Sequence, residues 1–579
     1  NFEYFSEDPV LTGEMAAALI QGVQSQGVGT SVKHFAVNNQ ERGRMFVDAI
    51  VDERALREIY LKGFEIAVKK AKPWTVMSAY NRVNGAYCGE DEFLLNQILR
   101  EEWGFNGLVV TDWGATNDRV KSIRAGLDLE MPFSGGVHDQ PVLSAVKSGD
   151  LKEEELDRAL VRNVELILRG SRVSDREVEL DHELHHRLAK RAASESMVLL
   201  KNERGQLPWN PSSDIAVIGS FAKTPRYQGA GSSQVTPTRL DNAHDCIEAM
   251  LGASGSVSYA AGYDHIHSEL DQGLIEEAVG VASSCDLVVL FVGLPSIDES
   301  EGFDRSHLEI PRQQELLIQA VCKENENCVV VLSNGAPVRM PWIDLPEAVI
   351  EGYLTGQAGG GAIADILFGK ANPSGKLAET FPLAQKDVPS DPWFSGEGRQ
   401  VQYREGLYVG YRYFDSANKP VLFPFGHGLS YTNFEYSNLF LSKALLSSED
   451  SLEVNLEVKN AGDIFGAEIV QVYVRPLETK VYRPLIELKA FVKVHLVPLE
   501  RQRVKLSFDV SALSVFDPYA RQWVLEPGDY EIRVGSSSRD IRLQRTVQIQ
   551  SDQPLSSEFI ASESPEFLDE GLRVSDGAF

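Results

Sequence analysis

The chain contains few cysteines, few basic residues relative to acidic ones, and no long apolar segment. Its five cysteines lack metal-ligand spacing, so they are interpreted as isolated thiols rather than as a disulfide framework or a zinc site. No apolar run approaches the ~20 residues that span a bilayer, so no membrane partner is expected. The net charge of −28 disfavours nucleic acid, because a phosphate polyanion would be repelled. A small or uncharged ligand is therefore expected.

Residues 1 to about 172 alternate short apolar strands with helical patterns, which is typical of βα units around a parallel sheet. Asp52 is predicted to cap a helix over Glu53–Lys70. Strands are predicted at Thr30–Phe35, Thr75–Tyr80, Leu108–Asp112 and Gly126–Met131. Polar groups end three of these strands, at the position where a (β/α)8 barrel carries its active site. Four strands do not close an eight-stranded barrel, so either the fold is not a barrel or the chain starts in the middle of one.

Two further units follow in the sequence. Residues from about 190 to 400 contain near-continuous apolar runs, which predict the buried parallel strands of a second α/β unit. Its strands are predicted at Ile215–Ile218, Leu287–Val292, Val329–Leu332 and Ala348–Tyr353. From about residue 430 apolar and polar residues alternate, which predicts a β-sandwich of the fibronectin type III or immunoglobulin kind. Residues 551–579 are acidic and aperiodic, and predict a tail or an extended arm.

Asp112 is the best candidate for a nucleophile in the first unit. A carboxylate that ends a buried strand is costly unless it faces a polar pocket. Trp113 beside it offers a flat apolar face of the kind on which sugars stack. The alternative interpretation is that Asp112 only caps the turn that follows.

An acidic cluster follows the predicted strand Leu287–Val292. Its members are Asp298, Glu299, Glu301, Asp304 and Glu309. Such a cluster can bind a metal, supply a catalytic acid or form a solvated loop, and its spacing lacks the EF-hand pattern of a calcium site. Glycine-rich loops at 229–233 and 356–361 lack the Lys-Ser/Thr of a phosphate-binding loop. No cofactor and no metal are predicted.

Nine motifs, in order along the chain, resemble those of glycoside hydrolase family 3 in its β-glucosidase branch. They lie at Asn1–Pro9, Lys33–Arg44, Val76–Gly85, Gly104–Gly114, Ala125–Pro132, Glu299–Arg305, Asn372–Pro382, Tyr403–Phe414 and Phe423–Thr432. The resemblance implies a (β/α)8 TIM-like barrel whose N-terminal part is missing from this chain, an α/β sandwich and a fibronectin III-like β-sandwich. The expected domains are 1–175, 191–415 and 416–550, with a linker at 176–190 and a tail at 551–579.

The resemblance implies that Asp112 is the nucleophile of a retaining glycosidase and that Glu301 is its acid/base. The residues that match sugar-binding positions are Lys33, His34, Arg44, Met77, Tyr80, Trp113 and Ser232. A retaining glycosidase needs one ionised and one protonated carboxyl group about 5–5.5 Å apart. We expect Lys33 or Arg44 to keep Asp112 charged, and desolvation by bound sugar to raise the pKa of Glu301.

The expected activity is the exo-hydrolysis of terminal non-reducing β-D-glucosyl residues from small β-glucosides or oligosaccharides, through a covalent glycosyl-enzyme intermediate. β-Xylosidase or another exo-glycosidase activity of family 3 stays open, as does a non-catalytic carbohydrate-binding function. The N-acetylglucosaminidase branch of the family is disfavoured, because Ala36–Asn39 replaces its histidine-bearing stretch.

The resemblance also implies a companion N-terminal segment that completes the barrel, since the barrel of the family begins well before the first motif. A homodimer is left open. The free cysteines favour a cytoplasmic location, while secretion or a periplasmic location stays open because the natural start is not seen.

Overall fold

The structure is a computed structural model that describes residues 3–172, 179–266, 269–562, 564–568 and 571–573. The first two residues of the motif at Asn1, part of the linker expected at 176–190 and parts of the tail expected at 551–579 lie outside the described residues. Within the described ranges, no helix is long and apolar enough to cross a membrane.

The first sheet has three parallel strands, Ser31–Phe35, Thr75–Ser78 and Leu108–Thr111, in that order. A fourth segment joins it through one parallel bridge between Val110 and Leu129. All four segments were predicted from the sequence, although the fourth is reduced to that bridge. Because the strands run parallel, their C-terminal ends lie at one edge of the sheet.

Helices of the first unit surround this sheet. They span Pro9–Ser25, Glu53–Ala55, Leu56–Tyr60 (a π-helical turn), Lys62–Ala71, Phe93–Glu102 (also π-helical), Arg119–Ala125, Asp139–Ser148 and Glu153–Ser171. The predicted cap is confirmed, because the side chain of Asp52 accepts a hydrogen bond from the N–H of Ala55 at 2.9 Å. The helix Pro9–Ser25 was not predicted, although Asp8 followed by a proline is a helix start signal.

The second sheet has six strands, parallel except for Val198–Asn202 at one edge. Their order is Val198–Asn202, Ala348–Glu351, Cys328–Ser333, Leu287–Gly293, Asp214–Ile218 and Ser256–Ala260. The helices of this unit span His182–Ser196, Ala243–Leu251, Gln272–Ser283, Arg312–Glu324 and Gly359–Leu367. The four predicted strands are confirmed, and their burial explains the near-continuous apolar runs. The two edge strands were not predicted.

Two cysteines of the second unit are closer than the sequence suggested. The sulfur atoms of Cys322 and Cys328 lie 2.9 Å apart, and both side chains are buried. All five cysteines are free thiols, and these two lie within hydrogen-bond distance of each other. Cys322 lies in the last turn of the helix Arg312–Glu324 and Cys328 begins the following strand, so a short helix-to-strand connection brings them together.

The third unit is a β-sandwich. Its three-stranded sheet contains Phe434–Leu441, Ser451–Asn460 and Arg501–Asp509. Its five-stranded sheet contains Leu445–Leu446, Ile541–Ile549, Gly528–Gly535, Gly466–Pro476 and Glu487–Leu496. In Ser451–Asn460 every second residue is buried, which is the alternation that the sequence indicated.

A small mixed sheet ties the first and second units together. Gln400–Gln402 pairs in parallel with Asp48–Ile50, which pairs with Arg82–Val83, and the hairpin ends at Ala86–Tyr87. Because Gln400–Gln402 follows the second sheet in the chain, this pairing fixes loops of the two units beside each other.

The described part of the predicted tail packs on the body of the protein. Phe559, in the helix Ser557–Ile560, is 1% exposed and its ring lies 5.0 Å from the guanidinium of Arg54. Glu566–Leu568 and Gly571–Arg573 form a short hairpin.

Candidate active site

Three predicted site residues meet at the C-terminal edge of the first sheet. His34 lies in Ser31–Phe35, Tyr80 follows Thr75–Ser78 and Asp112 follows Leu108–Thr111. His34 Nε2 is 3.3 Å from Asp112 Oδ2, and the Tyr80 hydroxyl donates to the carbonyl of Trp113 at 3.0 Å. Parallel pairing of adjacent strands therefore brings together residues that are far apart in the sequence.

Asp112 uses its two carboxylate oxygens differently. Oδ1 accepts a hydrogen bond from the N–H of Trp113 at 2.7 Å, as expected of an aspartate that caps a turn. Oδ2 faces His34, and the side chain is 13% exposed. The two interpretations drawn from the sequence thus apply to different atoms of one carboxylate, and one oxygen remains turned towards the polar cluster.

His34 is a neutral imidazole near pH 7. Burial and then the charge of Lys33 lower its pKa to about 4, because the carboxylate of Asp112 only partly offsets these effects. A neutral ring that carries its proton on Nε2 suits a neighbouring carboxylate, because it donates a hydrogen bond without adding a charge. His34 is therefore suited to hydrogen bonding rather than to proton transfer at this pH.

Glu301 reaches the site from the second unit, on the segment that follows the strand Leu287–Gly293. Its Oε2 accepts from the N–H and the hydroxyl of Ser232 at 2.6 and 2.5 Å, and its Oε1 accepts from Arg44 Nη2 at 3.0 Å. The site is consequently built by two units of the fold, and Arg44 of the first contacts the carboxylate of the second.

The pKa of Glu301 is lowered in this structure. Burial alone would raise it, but the hydrogen bonds from Ser232 and the charge of Arg44 outweigh burial and lower the pKa to about 2. Glu301 is therefore ionised at neutral pH in this structure, and the rise of its pKa on sugar binding stays a prediction.

The cations expected beside Asp112 are paired elsewhere. Lys33 Nζ is 3.8 Å from Glu3 Oε1, and Arg44 bridges Glu301 and Glu41, with its Nη1 2.9 Å from Glu41 Oε2. Neither cation forms an ion pair with Asp112 among the described residues, and the expectation that one of them keeps Asp112 charged stays a prediction. Among the described residues, His34 is the only ion-pair partner of Asp112.

Tyr80 and Arg44 form one stacked unit. The guanidinium of Arg44 lies 5.1 Å from the centre of the Tyr80 ring, a cation–π distance. Burial and then the charge of Asp112 raise the pKa of Tyr80 to about 12, so its hydroxyl stays protonated. Tyr80 is 7% exposed and can present only its hydroxyl edge to a ligand.

Two predicted residues differ in exposure. The Trp113 side chain is 53% exposed, so its indole face is open to a ligand. Met77 is half-buried and points to the opposite face of its strand from the fully buried Val76.

A close approach at Gly231 fixes the position of Glu301. Gly231 has φ +108°, and a Cβ atom there would lie 2.4 Å from Glu301 Cβ. The N–H of Glu301 donates to the carbonyl of Ala230 at 3.0 Å, so the two backbones run side by side. Only glycine fits this position without displacing the acidic side chain.

A group of His244, Asp245 and Glu248 has ligand atoms close enough to hold a metal ion. It lies on the helix Ala243–Leu251, with both acidic residues exposed, and none of the site residues above belongs to it.

Sequence profiles of known families match three parts of the chain. The profile described as glycosyl hydrolase family 3 N terminal domain matches residues 1–166, and the C-terminal domain of the same family matches 197–431. A fibronectin type III-like domain matches 468–538. The thermostable beta-glucosidase B of Acetivibrio thermocellus is 51% identical over 98% of this chain and 75% of that protein. The chain belongs to glycosyl hydrolase family 3.

Other family 3 proteins are also similar. The exo-alpha-(1->6)-L-arabinopyranosidase of Bifidobacterium breve is 44% identical over 96% of this chain and 74% of that protein. The crystal structure of a family 3 beta-glucosidase from Bifidobacterium adolescentis has a TM-score of 0.92 at 45% identity, over 96% of this chain and 82% of that one. The protein is thus a glycoside hydrolase, and the architecture expected from the motifs is confirmed.

Sequence reasoning missed Glu3 and Glu41 at this family 3 site, and it named Asp304 only as a member of the acidic cluster. Glu3 pairs with Lys33, Glu41 pairs with Arg44, and Asp304 accepts hydrogen bonds from the backbone of Glu41 and Arg42. Each lies inside a quoted motif, but nothing in a motif shows that its side chain reaches another unit of the fold. A charge count around Arg44 would have indicated only that acidic partners were near.

Proposed function

We propose that the protein is a retaining, exo-acting β-glucosidase in which Asp112 is the nucleophile and Glu301 the acid/base. The observation that carries the proposal is the convergence of these two carboxylates, from two units of the fold, on one cluster with His34 and Arg44. The similarity to beta-glucosidases from Acetivibrio thermocellus and Bifidobacterium adolescentis supports glucose as the sugar.

In the first step, Asp112 attacks the anomeric carbon and forms a glycosyl ester, while Glu301 gives its proton to the departing glycosidic oxygen. In the second step, Glu301 takes a proton from water, whose oxygen attacks the anomeric carbon and releases Asp112 as a carboxylate. The Oδ2 atom that faces His34 is the available nucleophile, since Oδ1 already accepts from Trp113.

Glu301 must gain a proton before the first step. In the structure Arg44 and Ser232 hold it ionised. We propose that sugar hydroxyls compete for these donors, and that loss of their hydrogen bonds, together with exclusion of water, raises the pKa of Glu301 in the complex. The same donors then bind the sugar.

The remaining predicted residues are assigned to binding the glucosyl ring. Lys33 supplies hydrogen-bond donors to hydroxyl groups, His34 Nδ1 and the Tyr80 hydroxyl oxygen supply acceptors, and the exposed face of Trp113 supplies a stacking surface. Met77 supplies apolar contact beside them. Because the ring hydroxyls are neutral, no cofactor is needed to recognise them.

Trapping of the intermediate tests the proposal. A dinitrophenyl 2-fluoroglucoside combines a good leaving group with a slow second step, so the glycosyl-enzyme accumulates. We expect a mass increase of one fluoroglucosyl group on the peptide that contains Asp112. Label on another carboxylate would refute the nucleophile, and a wild type that neither hydrolyses nor is labelled by glucosides would favour a non-catalytic carbohydrate-binding function.

Similarity to an exo-alpha-(1->6)-L-arabinopyranosidase favours a second candidate activity, on pyranosides that lack the hydroxymethyl group of glucose. Nitrophenyl β-glucoside, α-L-arabinopyranoside and β-xyloside, compared in one assay, separate the candidates. We expect the largest kcat/KM for the glucoside. A larger value for either pentoside would replace glucose as the proposed sugar.

We further propose that a companion polypeptide segment covers one side of the first unit. The helix Glu153–Ser171 exposes an apolar stripe at helical spacing. Its members, each at least 45% exposed, are Leu160, Val161, Val164, Ile167 and Leu168. Native and denaturing mass measurements on the natural protein test this: a covering segment appears as extra mass in the chain or as a second species, whereas a symmetric dimer of this chain would contradict it.

A further inference from the structure

Two loops from different units meet beside Glu301. The Glu301 loop, residues 299–305, belongs to the second unit, and the Arg44 loop, residues 38–44, follows the first strand of the first unit. Each loop places a carboxylate against the backbone of the other.

Asp304 of the Glu301 loop binds the backbone of the Arg44 loop. Its Oδ1 accepts from the N–H of Glu41 at 2.9 Å and its Oδ2 accepts from the N–H of Arg42 at 2.8 Å. Hydrogen bonds to a charged acceptor are among the stronger ones in proteins, and a carboxylate that uses both oxygens also fixes orientation. The contact therefore sets the distance and the angle between the loops.

Glu41 of the Arg44 loop makes the reciprocal contact. Its side chain is 5% exposed, and its Oε2 accepts from the N–H of Gly302 and from Arg44 Nη1, both at 2.9 Å. Gly302 directly follows Glu301, and Arg44 contacts Glu301 directly. One oxygen atom of Glu41 thus holds both the backbone and the cation that define the position of the Glu301 carboxylate.

The ends of the Glu301 loop are anchored in their own unit. Glu299 is buried, and its Oε2 accepts from the N–H of Gly335 at 2.8 Å. Arg305 donates to the carbonyl of Pro337 at 2.9 Å. The middle of the loop, between these anchors, is the part that contacts the first unit.

We propose that Glu41 and Asp304 are positioning residues that form a reciprocal clamp between the two units and align Glu301 for proton transfer. The inference rests on the proposed function of Glu301, and it adds residues that touch neither the sugar nor the reacting atoms. Asp112 lies on the first unit, so a clamp across the boundary sets the geometry between the two carboxylates. Misplacement by about 1 Å costs on the order of 100-fold in rate.

Leaving-group dependence tests the clamp. Proton donation matters for alkyl glucosides, whose leaving groups are poor, and little for dinitrophenyl glucoside, whose leaving group departs without a proton. We expect Asp304→Ala to lower kcat/KM about 100-fold for the poor leaving groups and less than about 5-fold for the dinitrophenyl glucoside. Asp304→Asn should fall between, because an amide replaces one acceptor oxygen by a donor.

The matched control is Glu309→Ala. Glu309 lies close after the Glu301 loop and pairs with Arg339 at 3.1 Å within its own unit. We expect this variant to keep the wild-type ratio between substrates. An equal loss on both substrates in Asp304→Ala, or the same selective loss in Glu309→Ala, would overturn the clamp, because destabilisation alone lowers both rates together.

A double variant and hydrogen exchange complete the test. In a Glu301→Ala background, Asp304→Ala should cause no further selective loss, since the positioned group is gone; a full second loss overturns the proposal. Amides of Glu41 and Arg42 should exchange faster in Asp304→Ala, and the amide of Gly302 faster in Glu41→Ala. Unchanged exchange would overturn the clamp, whether or not the wild type hydrolyses glucosides. A wild type that is inactive on glucosides would refute the proposed function instead.

Discussion

The two carboxylates of the site are held in different ways. Asp112 follows a strand of the first sheet, and its contacts are with Trp113, the next residue, and with His34 of the same sheet. Glu301 lies on a loop of the second unit, and its partners Ser232 and Arg44 are 69 and 257 positions away in the chain. Strand pairing positions one carboxylate, and packing between units positions the other.

This difference shows which contacts of a site residue can be inferred from its own strand and which cannot. Strand pairing fixes which residues lie next to the end of a strand, so the surroundings of Asp112 follow from the sheet. The pKa of Glu301 depends on donors from distant segments, and these lower it to about 2, against the direction expected from burial alone.

The largest effect is expected at the strand-held carboxylate. Asp112→Asn keeps the shape but removes the attacking charge, so kcat for nitrophenyl β-glucoside should fall about 10⁴-fold or more. The control is Asp118→Asn, which changes an aspartate that caps the helix Arg119–Ala125. Equal rates in wild type and Asp112→Asn would contradict the assignment.

At the loop-held carboxylate, Glu301→Ala should lower kcat/KM for alkyl β-glucosides about 10²–10⁴-fold, the usual contribution of a general acid. With nitrophenyl β-glucoside, added azide should restore turnover by attacking the glycosyl-enzyme and should give the β-azide. In Asp112→Ala the direct attack of azide should give the α-azide. Product NMR distinguishes them, and the same anomer from both variants would contradict the division of roles.

Gly231→Ala tests how tightly the loop-held carboxylate is placed. The new Cβ would lie 2.4 Å from Glu301 Cβ, so we expect kcat/KM to fall about 10–100-fold through displacement of the acid. Gly85→Ala is the control, since Gly85 also has positive φ but nothing lies within 4 Å of its Cβ position. If both variants lose activity equally, backbone strain rather than the contact is responsible.

Arg44→Met should alter the acid dependence of stability. Because the pKa of Glu301 is lowered from 4.5 to about 2, its contribution to stability is complete above about pH 4.5 and is lost as the pH falls towards 2. Without Arg44 this loss should shrink, since much of the pKa shift disappears. Urea unfolding of both proteins at pH 5 and pH 3 measures the free energy of unfolding. An equal decrease between pH 5 and pH 3 in both proteins would contradict the assignment of the lowered pKa of Glu301 to Arg44.

The smallest effect is expected at His34, on the strand-held side. Its pKa is lowered from 6.5 to about 4, so between these values the unfolded chain binds more protons and stability rises with pH. His34→Gln should remove a rise of about 3 kcal/mol in the free energy of unfolding across this window. The imidazole NMR signal that is lost in His34→Gln should titrate near pH 4 in the wild type; titration near 6.5 would show that burial does not control it.

Much of the fold was predictable, and particular strands show why. Leu287–Gly293 and Cys328–Ser333 are apolar throughout because both faces are covered, so their pattern is unambiguous. Individual strands of the third unit are harder to delimit. In Phe434–Leu441 a shift in register between Ser437 and Phe440 breaks the alternation, and in Ile541–Ile549 most residues are exposed.

The sequence by itself determined most strands of the first two units and the order of the three units, because the apolar pattern and the motif spacing can be read along the chain. Only the tertiary structure decided which carboxylate each cationic side chain pairs with. Arg44 is the clearest case: sequence placed it among the sugar-binding residues, but it lies between Glu41 and Glu301. Electrostatic contacts depend on distances of a few ångströms between segments far apart in the chain, and packing alone sets those distances.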